Sequence, residues 1–146
     1  MDFIPSSGPH LHIVLNHLPV YGTVIALGLF LYAINWKSWL SSNVEVISKD
    51  IEKVSLVLFV LLGILSIPTY ISGAAARWAY QGRSDTSMDV ILAHQDAALM
   101  AFLFLGLAGC MAWLALWQRR RFTRAHSWGL QATLVFSVLS VFYLFK

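Results

Sequence analysis

The chain has 146 residues, of which 58% are hydrophobic and 12% are charged, and its net charge is +3. A soluble domain usually carries about 25% charged residues, so the composition excludes an ordinary soluble protein, and the length allows a single domain, 1–146. Four uncharged intervals are each long enough to cross a hydrocarbon core of about 30 Å as a helix. They are 3–36, 54–76, 97–118 and 125–145. The sequence therefore predicts an all-α bundle of four transmembrane helices.

The first predicted helix covers about residues 12–35 and begins beside three histidines, His10, His12 and His17. Polar side chains that can bind ligands are expensive in lipid, so they are candidates for function. Pro19 lies one turn inside the helix and is expected to kink it. The histidine-rich end of this apolar helix is therefore the first candidate for a functional site.

The other three helices are predicted at about 54–73, 90–117 and 128–145. The second ends in a run of small residues, 72–76, which permits close approach of a neighbouring helix or a flat ligand. The third contains His94 and Asp96 in its first turns. The fourth carries no charge and is predicted to be a packing helix.

The basic residues predict the orientation of these helices. Seven of the ten Lys and Arg residues fall in the loops after helices 1 and 3, and three fall on the opposite side. Positively charged loops usually remain in the cytoplasm, so both termini are predicted to lie outside, in the periplasm of a bacterial inner-membrane protein. The basic cluster 119–124 is interpreted as a contact with anionic lipid, and no nucleic-acid binding is expected.

This topology brings histidines of helices 1 and 3 to one side of the membrane. His17 and His94 are expected at similar depth, where they could be the axial ligands of a haem b. Small residues would leave room for the porphyrin, and Arg77 or Arg83 would meet its propionates. The small residues are Gly22, Ala97, Ala98 and Ala101.

Two other interpretations remain open. The first is a transition-metal site for copper, zinc or non-haem iron, because imidazole and carboxylate ligands suit these metals. Its candidate ligands are His10, His12, His17, His94 and either Asp96 or Asp89. The second has no cofactor, and the histidines then only hydrogen-bond helix ends. Asn16 and Asp96 are expected to orient the histidine ligands of a haem or metal site, and Tyr21 either supports them or packs in the core.

The segment 10–22, HLHIVLNHLPVYG, together with IPTYISG at 67–73 and His94, resembles a family of small four-helix bacterial membrane proteins. The pattern of that family is H-x-H-x-x-x-N-H-x-P in helix 1, and its function is not assigned. The resemblance implies a four-helix fold and one constellation of His10, His12, Asn16, His17, Pro19 and His94. This chain has Gln95 and Ala74 where the family usually has acids, which favours haem over a carboxylate-rich metal site.

The sequence therefore predicts a haem b electron-transfer subunit of a larger respiratory or redox complex, with the haem in the periplasmic half. His17 and His94 would be the axial ligands, and His10 and His12 alternative ligands. The expected partners are the lipid bilayer, other subunits of the complex and a quinone, and no catalytic groups of its own are expected. A cofactor-free accessory subunit and a metal-binding membrane protein are the alternatives.

Overall fold

A computed structural model describes residues 8–36, 42–80, 87–122 and 127–146, which form four α-helices. The helices are α1 Gly8–Trp36, α2 Ser42–Tyr80, α3 Met88–Arg121 and α4 Ser127–Leu144. The all-helical, four-helix prediction is confirmed. Arg83 and His126 lie outside the described residues.

The helices extend beyond the uncharged intervals. Helix α1 begins at Gly8, so His10 and His12 are helical and do not form an extended His-x-His segment. Helix α2 has 39 residues and starts twelve positions before the predicted 54, because nothing between Ser42 and Val54 breaks a helix. Pro19 and Pro68 both lie inside helices, which membrane helices tolerate because neighbouring groups satisfy the freed backbone atoms.

Three of the helices are long and apolar enough to cross a membrane. The candidate spans are Pro9–Asn35, Val46–Trp78 and Met88–Arg121. Helix α4 is shorter, with 18 residues and a length of about 27 Å. Length and composition thus indicate a multi-pass membrane protein.

Helices that follow one another in the chain pack antiparallel, which creates two distinct ends. At the first end, His12 of α1 contacts Thr69 near the end of α2. At the other end, the Ser48 hydroxyl of α2 donates to the Ala33 carbonyl of α1 at 2.7 Å. We call the end that contains His12 the histidine end, and the end that contains Arg119 the arginine end.

The apolar core lies mainly in the half of the bundle towards the arginine end. Phe30 and Phe59 are fully buried and meet edge to face, with ring centroids 6.0 Å apart. The other buried core members are Ala26, Leu56, Leu62, Leu105, Ala112 and Ala115. Leu130 and Leu134 bring α4 against the same cluster. All four helices therefore join one core in this half.

A glycine pair sets the distance between α2 and α3. A Cβ placed on Gly109 would lie 3.0 Å from the carbonyl oxygen of Phe59 and 3.4 Å from the Cα of Gly63. The two backbones can approach this closely only because neither glycine has a side chain.

Helix α4 stops early at the histidine end. Its Ser140 hydroxyl donates to the carbonyl of Ala101 on α3 at 3.2 Å, and α4 continues only to Leu144. Helix α3 extends outward from Ala101 to Met88, about 20 Å further. Helices α1 and α4 also touch much less than sequential neighbours do. The groove between α1 and α3 is therefore left partly uncovered at this end.

Candidate cofactor cavity

A cavity of about 380 Å³ lies at the histidine end, lined by residues of all four helices. Its polar lining includes His12 and Asn16 of α1, Arg77 of α2, and His94 and Gln95 of α3. Its apolar floor is built mainly from small side chains of α3 and from aromatic rings. These floor residues are Ala97, Ala98, Ala101, Phe102, Leu105 and Tyr70. The cavity therefore has a polar and an apolar part.

His12 is held in place by helix α2. Its Nδ1 lies 3.3 Å from the carbonyl oxygen of Thr69 and 3.2 Å from Oγ of Ser72. Because the Ser72 hydroxyl itself donates to the Thr69 carbonyl at 2.7 Å, we infer that Nδ1 carries the proton and donates to this pair. The other ring nitrogen, Nε2, is then left as an acceptor. Metal-binding histidines are commonly oriented by this arrangement.

Gly73 supplies the surface against which the His12 ring lies. A Cβ at this position would come 3.0 Å from Cε1 and 3.3 Å from Nδ1 of His12. The absence of a side chain at Gly73 is therefore a condition for the observed position of the imidazole.

His94 reaches the same cavity from α3. Its side chain is exposed, like that of His17, but it lines the cavity together with His12. Ala98 and Ala101 follow it by four and seven residues, so they share its helix face. His12 and His94 are thus the two histidines that the fold brings to one cavity.

His17 lies elsewhere. It is exposed, its Nδ1 donates to the carbonyl oxygen of Ile13 at 2.6 Å, and its ring stacks on Tyr21 with centroids 5.9 Å apart. His10, seven positions earlier, is also exposed. The structure therefore does not bring the predicted pair His17 and His94 together at the cavity. The reason is helical phase, because residues 12, 16 and 19 share one face of α1 and residues 10 and 17 share another.

Two cationic side chains line the cavity. Nη1 of Arg77 donates to Oε1 of Gln95 at 2.7 Å, whereas its buried Nε has no hydrogen-bond partner among the described residues. Lys146 lies beyond the end of α4, with its Nζ 5.8 Å from the ring centroid of Tyr143. Asp89 and Asp96 are exposed and do not line the cavity.

The supporting residues differ in part from those expected. Asn16 lines the cavity, whereas Tyr21 and Asp96 do not. Thr69, Ser72, Gln95 and Lys146 were not predicted as part of the site. The sequence signals for Thr69 and Ser72 are the segment IPTYISG at 67–73 and the small-residue run at 72–76.

Within residues 8–36, 42–80, 87–122 and 127–146, no three or more His, Cys, Asp or Glu side chains form a group that could hold a metal ion. The geometry therefore does not support a metal site in which protein side chains supply every ligand. A haem differs, because its porphyrin already supplies four ligands and the protein adds only the axial ones.

No family model, curated protein or solved structure matches this chain, so its function is inferred from the cavity.

Proposed function

We propose that this protein is a small membrane haem protein in which His12 and His94 are the axial ligands of a haem b. The observation that carries the proposal is that two histidines, from two helices, line one cavity with an alanine floor. Helical bundles commonly bind cofactors through side chains on facing helices, and imidazole is a common axial ligand of haem iron.

The residues around the cavity fit such a group. The contacts of His12 with Thr69 and Ser72 engage Nδ1, so Nε2 would be the nitrogen that binds iron. Gly73 leaves room for the ring. The unpartnered Nε of Arg77 is a donor suited to a propionate.

Held by His12 and His94, a haem would supply one-electron transfer. The work of the chain is then to orient two imidazoles, to hold the anionic edge of the porphyrin and to exclude water with the alanine floor. No catalytic side chain is needed. We therefore assign the protein to electron transfer rather than to an enzyme activity.

We place the histidine end at the periplasmic face of a bacterial inner membrane, with α4 as a fourth span. The support is the excess of Lys and Arg at the arginine end, which includes Arg119, Arg120 and Arg121. The electron partners would be a quinone or another subunit of a respiratory complex in the same membrane.

The test is a dithionite-reduced minus oxidised spectrum of the detergent-purified protein, with haem quantified as its pyridine complex. We expect b-type bands that disappear in His12→Ala and in His94→Ala. His17→Ala is the matched control and should keep them, because His17 does not line the cavity. A folded wild-type protein that carries no haem when isolated from its native membrane would contradict the proposal.

A second candidate, an accessory subunit without a cofactor, is favoured by the opposite face of α1. His17 and Tyr21 are exposed there, and ionisable side chains in a membrane span usually face protein. Under this alternative, wild-type protein and all three histidine variants lack haem. A double substitution, H17A with Y21A, then releases the protein from its complex.

A further inference from the structure

Among the described residues that line the cavity, two are cationic and none carries a carboxylate side chain. Arg77 comes from the last turns of α2 and Lys146 from the residues after α4, and none of the lining residues is Asp or Glu. The nearby acids of α3, Asp89 and Asp96, are exposed and do not line the cavity. The cavity is therefore electropositive at its polar part.

Arg77 is oriented, but its hydrogen bonding is incomplete. Gln95 accepts from Nη1, while the buried Nε donor has no partner within the described part of the chain. A buried charged donor without an acceptor is costly, and hydrogen bonds to carboxylate or phosphate are the strongest that arginine makes. An anionic group of a ligand would satisfy this donor, and Lys146 adds a second positive charge to the lining.

The remainder of the cavity suits an apolar body. Ala97, Ala98 and Ala101 provide a flat surface on α3, and Tyr70 stacks on Phe102 beside it with centroids 5.0 Å apart. Because α4 ends at Leu144, the groove between α1 and α3 is open above it. A molecule with an anionic head and a flat or chain-like apolar body matches both parts.

We propose that the cavity is a selective site for an anionic amphiphile, whose carboxylate or phosphate is bound by Arg77 and Lys146. The group could belong to a porphyrin, through its propionates, or to a lipid, through its headgroup. If the ligand is a porphyrin, this inference rests on the proposed function. The binding of an anion by Arg77 and Lys146 does not, because it requires no iron.

The test uses two metal-free probes, protoporphyrin IX and its dimethyl ester, which share the ring and differ in the two carboxylates. Each is titrated into the full-length protein in detergent, prepared without haem, and binding is read from fluorescence anisotropy. We expect the free acid to bind at least about tenfold more tightly, the effect of one charge-assisted hydrogen bond.

Matched variants identify the residues responsible. Arg77→Gln and Lys146→Gln should each reduce the preference for the free acid, whereas Arg77→Lys should keep most of it. Arg120→Gln, an exposed arginine at the arginine end, is the control and should leave the preference unchanged. Circular dichroism verifies that every variant remains helical.

Competition by oleate and by oleyl alcohol distinguishes the two sources. If oleate displaces the porphyrin and oleyl alcohol does not, the site accepts lipid-derived anions. Absence of displacement, with the free acid still preferred, supports a site for porphyrin carboxylates. Equal binding of acid and ester, no binding of either, or an unchanged preference in Arg77→Gln overturns the inference. Because the probes contain no iron, a wild-type protein without haem contradicts the proposed function and leaves this result intact.

Discussion

The two halves of the bundle use polar side chains in opposite ways. At the arginine end, Glu52 is fully buried and forms an ion pair with Arg119, next to a core to which every helix contributes. At the histidine end, Arg77 and Lys146 line a cavity to which no Asp or Glu of the described residues contributes. The ion pair of Glu52 and Arg119 neutralises both charges and connects α2 to α3. The charges of Arg77 and Lys146 have no such carboxylate partner among the described residues, so they are available to a ligand.

This difference between the two halves indicates that one stabilises the fold and the other can bind a ligand. In lipid, helices associate through packing and polar contacts rather than through burial from water. The half towards the arginine end, which we call the packed half, supplies these interactions. The half towards the histidine end can therefore contain a cavity without loss of the fold. Substitutions in the two halves should therefore have different consequences.

The largest expected effect comes from two matched phenylalanine substitutions. Phe59→Ala removes a fully buried ring from the packed half and should lower the free energy of unfolding by about 3–5 kcal/mol. Phe102→Ala removes a ring that already borders the cavity, and should cost about 1 kcal/mol, mainly its stacking with Tyr70. The measurement is unfolding in mixtures of mild detergent and dodecyl sulfate. Equal losses would show that the halves do not differ in packing.

The next effect tests the ion pair. Glu52→Gln should destabilise the protein by about 2 kcal/mol, less than a fully buried pair loses, because a quarter of the Arg119 side chain is accessible. The same unfolding measurement applies, and a double-mutant cycle with Arg119→Gln isolates the pairwise energy. Haem content should not change in Glu52→Gln or Arg119→Gln, because neither residue lines the cavity. A loss of haem in folded Glu52→Gln would show that the two ends are coupled.

Two matched glycine substitutions separate an effect on haem binding from an effect on stability. Gly73→Ala should weaken haem binding at least about tenfold, because the new Cβ displaces the His12 ring. Gly106→Ala is the control, since no atom lies within 4 Å of its added Cβ, and it should stabilise the helix by about 0.5–1 kcal/mol without affecting haem. Haem titration and unfolding are measured on both. Unchanged haem affinity in Gly73→Ala would remove the role assigned to His12.

The smallest effect concerns the hydroxyl that contacts His12. Ser72→Ala removes one acceptor of Nδ1 but leaves the Thr69 carbonyl, so haem affinity should fall only about threefold. Ser55→Ala, whose hydroxyl donates to Ile51 in the packed half, is the control and should not alter affinity. A fall of a hundredfold would mean that Ser72, and not Thr69, orients the ring.

Much of the fold could be predicted because its signal is local. Uncharged intervals locate four helices, since a chain that crosses lipid must satisfy its backbone within a helix. The beginning of α2 could not be predicted in this way, because its first turns from Ser42 are polar and lie outside the apolar interval. In the structure these turns also contact α1, where the Ser48 hydroxyl donates to the Ala33 carbonyl.

The candidate site could be predicted only in part. Alternation of direction along the chain is enough to bring the first turns of helices 1 and 3 to one end, so His94 and a histidine of helix 1 are expected near each other. Gln95 and Lys146 could not be predicted, because their roles depend on the position of Arg77 and on where α4 ends.

By itself, the sequence determined an all-helical chain of membrane character and predicted that four of its five histidines lie at one end. Only the tertiary structure decided that His12, and not His17, enters the cavity. The physical reason is that α1 is apolar on every side, and both lipid and the bundle interior accept apolar side chains. Periodicity separates the face of His12 from that of His17, but only packing against Gly73 and Thr69 of α2 turns the His12 face inward.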